Sequence, residues 1–339
     1  MQISVVVLVF NLESYIAEAI DSVLAQTRPA DEIIVVDDCS TDGSAAIVKS
    51  YGSKVRYVRM PQNSGALLAA LEGVKAARGE ILCMLDGDDY WAVDKLAAVE
   101  REFGADPDLV LLSHDHVRVD ENGTELPIRD DTHRNIAAVR RQATSPGHFS
   151  DLLKDSILNQ KGYWLGSAYA FRKAAFDLPK FDQQIAAFGT DGLRDTYLDL
   201  TIAPFLVLTN PRGSVGYARD TRFFYRVHDQ GSLAGNVTPE KAQRSALKGR
   251  RINELINRIL EANNAAPAYL RRRGLLLEEY DFLIALYSRE FGKALRLYWR
   301  LAFGSWDRIQ LVKETKRLLA VFIVGPERFL RLKQRQTRT

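Results

Sequence analysis

Cysteine is nearly absent: Cys39 and Cys83 are the two in 339 residues. That excludes a disulfide framework and a thiolate-held metal, and it fits a reducing compartment. Long hydrophobic runs are missing as well. The longest near the end, "LLAVFIVG", is far short of the roughly 18 apolar residues that a bilayer span needs. The opening "MQISVVVLVFNLE" has no basic stretch before its apolar run and no small-residue cleavage site after it. It therefore reads as a first β-strand rather than an export signal, and a cytoplasmic protein is expected. Phosphate signatures are the third absence, since neither G-x-x-x-x-G-K-[ST] nor G-x-G-x-x-G follows that strand, which excludes a P-loop and a dinucleotide fingerprint. A phosphate bound by this chain needs another source of positive charge.

What is present is an ordinary globular composition, 46% hydrophobic and 26% charged, enough to bury a full core. The net charge of +3 conceals an asymmetry. Residues 1–235 hold 24 Lys and Arg against 33 Asp and Glu, a balance of −9, whereas residues 236–339 hold 22 against 10, a balance of +12. The pattern changes at the same place. Up to about residue 115, β-branched runs ("ISVVVLV", "EIIVVD", "KVRYVRM", "EILCMLD") alternate with helical ones ("ESYIAEAIDSVLAQ", "DGSAAIVKSYG", "GALLAALEGVKAARG", "VDKLAAVEREFG"). Strands apolar throughout, separated by crossover helices, predict an α/β architecture with a mostly parallel sheet covered on both faces. Between 109 and 235 the pattern is less regular, with a hairpin signal at Asn122-Gly123 and strand-like stretches in "GSAYAFRKAAF" and "TRFFYRVHDQGS". From about 239 the sequence reads as helix to the end. Two domains follow, 1–235 with the α/β pattern and 236–339 a basic helical region.

In open α/β sheets ligands bind beyond the carboxyl ends of the strands, and there the chain places Asn11, Asp37, Asp38 and Asp86. "CMLDGDDYW" at 83–91 puts three carboxylates into four positions. One helix cap would need one of them, with Asp89 the candidate for that role, and crowding the rest costs free energy unless a cation compensates. Asp86 and Asp88, two residues apart around Gly87, suit an octahedral Mg²⁺ or Mn²⁺ whose other positions go to water and phosphate oxygens. Read singly, Asp37, Asp38, Ser40 and Asp42 are Asx turns and caps for the next helix, and His228 is a satisfied histidine at a strand end. Trp91 has the chemistry of either a sugar platform or a core residue.

Taken together and in order, "SVVVLVFNLESYIAEAIDSVLAQT", "DEIIVVDDCSTDGS", "NSGALLAALEGVKAARGEILCMLDGDDYW", "WLGSAYAFRK" and "FFYRVH" resemble the family 2 glycosyltransferases, an inverting group with the GT-A fold. The resemblance covers roughly residues 1–235. It implies a Rossmann-like, mostly parallel sheet with flanking helices, and an enzyme moving a sugar from a nucleoside-diphosphate sugar to a hydroxyl of a glycan or lipid-linked acceptor in cell-surface polysaccharide synthesis. By the same resemblance Phe10, Asn11, Glu13, Asp38 and Asp86 line the nucleotide. Asp88, with Asp86 and His228, holds Mg²⁺ or Mn²⁺. Arg226 or Arg222 meets the diphosphate, and Trp164, Gly166, Ser167 and Asp89 face the sugars. Asp195 is the general base and Asp191 its rival, with an amphipathic helix expected to follow. The chain departs from the family at Leu8-Val9-Phe10, where Pro, Thr and Tyr are more usual, and at Arg194, where an acidic residue or His is common.

Two alternatives differ in class. A magnesium-dependent phosphotransferase using D-x-D carries its nucleophilic Asp after the first strand, where this chain has Phe10-Asn11. A non-catalytic sugar-nucleotide-binding module docked on membranes would leave the work to the basic region. That region mixes Trp299, Trp306, Phe303, Phe322 and Phe329 with many Lys and Arg. It reads either as helices packed on a core with a solvated charged face or as a peripheral dock on the inner face of the cytoplasmic membrane. Nucleic acid is not expected as a partner, because the basic residues are interleaved with apolar ones and no recognised module is present.

Overall fold

The computed structural model describes residues 1–127, 132–159, 165–194, 196, 198–228, 238–304, 306 and 308–338. The first half alternates as the apolar periodicity requires: β1 (Ile3–Val9), α1 (Ile16–Leu24), β2 (Glu32–Asp37), α2 (Ser44–Ser50), β3 (Arg56–Arg59), α3 (Ala66–Ala76) and β4 (Ile81–Asp86). β5 (Tyr90–Trp91), α4 (Lys95–Ala105), β6 (Leu109–Val119), α5 (Thr132–Gln142), α6 (Pro146–Leu158), β7 (Ala170–Arg172), α7 (Leu178–Ala186), α8 (Gly189–Leu193), α9 (Leu198–Thr209) and β8 (Ser214–Arg226) follow. They form one mixed eight-stranded sheet in the order β3-β2-β1-β4-β7-β6-β8-β5.

β1 is buried along its whole length and pairs in parallel with β2 on one side and β4 on the other. That is why its sequence shows no alternation of apolar and polar residues. β7 runs antiparallel between β4 and β6, and β8 returns parallel to β6. Its carboxyl end, Arg226, thus lies on the same rim as Asp86. The Asn122-Gly123 turn forms as its sequence signals, with Gly123 at φ +82° and Val119 bridged antiparallel to Glu125. The helix after residue 197 is not the expected amphipathic one, since Thr201–Val207 of α9 are all buried. Such a helix is apolar on every side because protein surrounds it.

The chain divides into two compact units, Met1–Gly231 with Ala262–Asn264, and Ser232–Glu261 with Ala265–Thr339. The second is helical: α10 (Pro239–Ala262), α11 (Pro267–Tyr287), α12 (Phe291–Gly304) and α13 (Arg308–Arg338), the last kinked at Gly325-Pro326. α10 and α11 approach closely at Gly249, where a Cβ would stand 2.3 Å from the Tyr280 ring. Phe282, Ala285, Leu286, Ala294, Tyr298, Leu301, Leu318 and Val321 form this unit's core.

Candidate active site

The site grows from the ends of β1, β2 and β4. Past β1 the backbone turns through Asn11 at φ +53°, a left-handed conformation that Asn tolerates because its short polar side chain bonds locally. Here Asn11 Oδ1 accepts from the Thr41 N–H at 2.8 Å and Asn11 N–H donates to Ser40 Oγ at 3.0 Å. Glu13 and the β2 loop clasp each other: Gly43 N–H donates to the Glu13 carboxylate at 2.6 Å, and Glu13 N–H donates to the Asp42 carboxylate at 3.0 Å. Asp42 also accepts from the Ser44 N–H at 3.0 Å, opening α2. Phe10 projects beside this clasp, 41% exposed.

Asp37 and Asp38 divide their labour. Asp37, fully buried, accepts from Ser40 N–H, the Tyr57 hydroxyl and the Arg59 guanidinium. Asp38 uses one oxygen for the Ser64 N–H and the other for the Gly65 N–H, both at 2.7 Å. Burial nonetheless raises its pKa, outweighing those two donors and the Arg194 charge. Each oxygen retains a second lone pair for a ligand donor. Gly65 is obligatory there: its φ is +92°, and a Cβ would stand 2.2 Å from the Arg194 carbonyl oxygen.

After Asp86 the chain turns against β1. Gly87 N–H donates to the Leu8 carbonyl at 2.8 Å, and a Cβ on Gly87 would come within 2.6 Å of that oxygen. The turn presents Asp88 outward, with Asp88 Oδ2 lying 3.0 Å from His228 Nε2. This hydrogen bond raises the His228 pKa, and the imidazole leans on the Tyr15 ring at 5.0 Å. Asp89 points the other way, buried, accepting from Ser167 Oγ at 2.6 Å and from Arg226 N–H at 3.0 Å. Burial, then the neighbouring Asp88 and Asp86, pushes its pKa well above the carboxylate range. Ser167 Oγ also accepts from Asp86 N–H at 3.1 Å, so the Gly166–Ala168 turn and the carboxylate turn are joined.

These contacts bear on several expectations. Asp89 caps no helix, because α4 starts only at Lys95, after Asp94. Trp91 is core, 3% exposed, its indole N–H bound to the Ser167 carbonyl at 2.9 Å. Arg226 does not reach outward for a diphosphate. Its guanidinium donates to the carbonyls of Asp88, Glu121 and Asp120 and to the Glu18 carboxylate, and lies between the Tyr15 and Tyr90 rings. Four of its five N–H groups are thereby engaged, which makes it a strut for the Asp86–Tyr90 turn. Arg222 lines a separate cleft of about 400 Å³ with Asp94, Asp115, His116 and Arg219, whose walls include none of Asp86, Asp88 and His228. Asp191 falls within α8, with nothing described of its side chain; Asp195 and Trp164 lie outside the described residues.

Asp88 and His228 fit a divalent cation. Their 3.0 Å separation is about that of adjacent ligands around an octahedral ion with bonds of about 2.1 Å, and the donor set, one carboxylate and one imidazole, suits Mn²⁺. Among the described residues no three His, Cys, Asp or Glu side chains converge on one point, so Asp86 does not complete a cage with this pair. Sequence reasoning also missed Lys95. Fully buried, it donates to the Ser167 carbonyl at 2.7 Å and lies 3.9 Å from the Trp91 ring centre. A signal existed, since Lys95 interrupts the otherwise apolar row Lys95–Val99–Phe103 at i, i+4, i+8.

Comparison with known proteins gives the family and the fold. The model of glycosyl transferase family 2 matches residues 4–176, half of the chain. A stretch of 97 residues is 39% identical to the putative teichuronic acid biosynthesis glycosyltransferase TuaG of Bacillus subtilis, covering 28% of this chain and 38% of that protein. The chain thus aligns with little more than a third of that relative's length. Among solved structures, S. aureus TarS 1–349 in complex with UDP-GlcNAc superposes with a TM-score of 0.53 at 18% identity, over 88% of this chain and 89% of that one. The mannosyltransferase PcManGT from Pyrobaculum calidifontis, in complex with GDP-Man and Mn²⁺, gives 0.51 at 19% identity, over 98% and 84%. Those two likenesses carry the fold, which is that of the GT-A glycosyltransferases, and the family model carries the membership: the chain belongs to glycosyl transferase family 2.

Proposed function

We propose that the chain transfers a sugar, with inversion, from a nucleoside-diphosphate sugar to a hydroxyl of a glycan or lipid-linked acceptor in cell-surface polysaccharide synthesis. It would work in the cytoplasm, at the inner face of the membrane. The observation that carries this reading is the outward Asp88–His228 pair at the carboxyl rim of the sheet, 3.0 Å apart and braced from below by Arg226 and Asp89. The relatives named above support the substrate class: one is named for teichuronic acid synthesis, and the solved ones hold UDP-GlcNAc, or GDP-Man with Mn²⁺.

Asp88 and His228 would hold Mg²⁺ or Mn²⁺, which when bound offsets the negative charge that grows on the departing diphosphate. Asp38, with a lone pair left on each oxygen, accepts a ring N–H of the base. Asn11 and Glu13 fix the wall beside the ribose, and the Gly166–Ser167 turn borders the sugar. Asp195 removes the proton of the acceptor hydroxyl as that oxygen attacks the anomeric carbon from the face opposite the diphosphate. A single displacement inverts the centre.

A screen of nucleoside-diphosphate sugars for Mn²⁺-dependent hydrolysis names the donor; no hydrolysis and no binding of any of them removes the proposal. With the donor known, Asp195→Asn is expected to lower turnover by about 10² to 10⁴ with nucleotide affinity nearly intact. A fully active Asp195→Asn beside a dead Asp191→Asn would move the base to Asp191.

A further inference from the structure

The second unit exposes more apolar surface than its fold requires. α12 buries Ala294, Tyr298 and Leu301, which satisfies its packing on α11 and α13. Its next row outward, Leu295, Trp299 and Phe303 at i, i+4 and i+8, is nevertheless apolar and exposed, with Phe303 86% accessible. Trp299 and Phe303 stack on each other at 5.5 Å and 17°. α13 repeats the pattern. It buries Glu314, Leu318 and Val321, and at 100° per residue the row Val312, Leu319 and Ile323 faces away from them. These three are 48%, 54% and 79% exposed, with Phe322 beside them at 53%. Trp306 and Phe329, by contrast, pack on the unit's own core, so only part of the aromatic content of this region faces outward.

We propose that these rows dock the protein on an anionic phospholipid surface. The occupant follows from charge. Residues 291–339 carry 12 Lys and Arg against 3 Asp and Glu. Exposed Arg296 shares the outward side of α12 with Trp299 and Phe303, as does Arg300, which is paired with Glu278 at 2.5 Å, and exposed Lys316 sits within the apolar row of α13. Apolar side chains enter the interface while the basic heads among them meet lipid phosphates. A second copy of the chain is a poorer fit, since a two-fold contact sets the same basic face against itself. No helix among the described residues is long and apolar enough to cross a membrane, so the contact is with the surface. The inference rests on the placement at the membrane proposed above, and its readout needs neither donor nor acceptor.

The test is sedimentation of the full chain with vesicles of phosphatidylcholine containing about one-third phosphatidylglycerol. Alongside runs a variant with Trp299→Ser, Phe303→Ser, Leu319→Ser and Ile323→Ser, checked by circular dichroism for native helix content. The wild type is expected to pellet with these vesicles, to bind less as salt is raised, and to bind pure phosphatidylcholine poorly. The variant's partition coefficient is expected to fall at least about tenfold. A wild type left in the supernatant, or a folded variant that pellets as well as the wild type, would overturn the proposal. So would self-association abolished by the four substitutions without any vesicle binding, which would make the rows an interface between copies. Donor hydrolysis measured without vesicles reports on the catalytic proposal separately.

Discussion

Lys95 sets its ammonium against the Ser167 carbonyl and the Trp91 ring, with no carboxylate among its hydrogen-bond partners in the described residues. Burial lowers its pKa to about 7. A lysine depressed in the folded state binds fewer protons there than in the unfolded chain between that pH and about 10.4. Stability contributed at this site therefore rises with pH across that window. Comparing urea midpoints at pH 7 and pH 9.5 in the wild type and in Lys95→Met should show a part of the pH slope that the variant loses, worth a few kcal/mol. Equal slopes in both would place the charge elsewhere. Because Ser167 Oγ also joins Asp86 and Asp89, Lys95 is linked to the carboxylate turn through Ser167, and the trace of this in the sequence is its place in an otherwise apolar helical row. The rim position of Asp86 and Asp88 was legible because a strand end and an acidic cluster imply a rim, whereas His228 was singled out through the resemblance alone. The Arg226 contacts were not, because its partners Glu18 and Glu121 are distant in sequence.

At the scale of elements, glycine decides how closely the layers approach. A Cβ at Gly73 of α3 would stand 2.3 Å from Val6 Cγ1 and 3.3 Å from Val36 Cγ2, whereas one at Gly87 would meet the Leu8 carbonyl oxygen. Both substitutions by alanine overpack, and a loss of about 1–3 kcal/mol is expected from each. Their activities should separate. Gly73→Ala strains a helix against the sheet away from the rim, so kcat per folded molecule should stay near that of the wild type. Gly87→Ala moves the turn that presents Asp88, so metal-dependent turnover should fall by more than the lost folded fraction explains. Denaturant melts beside single-donor kinetics read both. The βα alternation up to α4 was readable because each apolar run has one period. α9 misled because a helix enclosed by protein loses the amphipathic stripe by which helices are recognised.

Across the whole molecule, acidic and basic residues are segregated, −9 over residues 1–235 and +12 over residues 236–339. If one unit performs the chemistry and the other finds the surface, the two are separable by assay. The variant with four serines should keep donor hydrolysis in solution within about twofold, because none of its positions lies in the sheet unit. Its transfer to a lipid-linked acceptor embedded in anionic vesicles should drop at least about tenfold. Equal losses in both assays would mean that the substitutions damage the fold.

By itself the sequence determined the parallel half of the sheet, the rim to which its carboxylates belong, the family and the charge division, all of which follow from local periodicity and ordered motifs. Tertiary structure alone decided how each carboxylate is held. Asp89 was drawn inward by Ser167 and Arg226, Asp38 was fixed by Ser64 and Gly65, and Asp88 was left outward beside His228. The physical reason is that a side chain's role depends on the donors and the burial around it. Those come from strands and turns that meet only when the sheet closes.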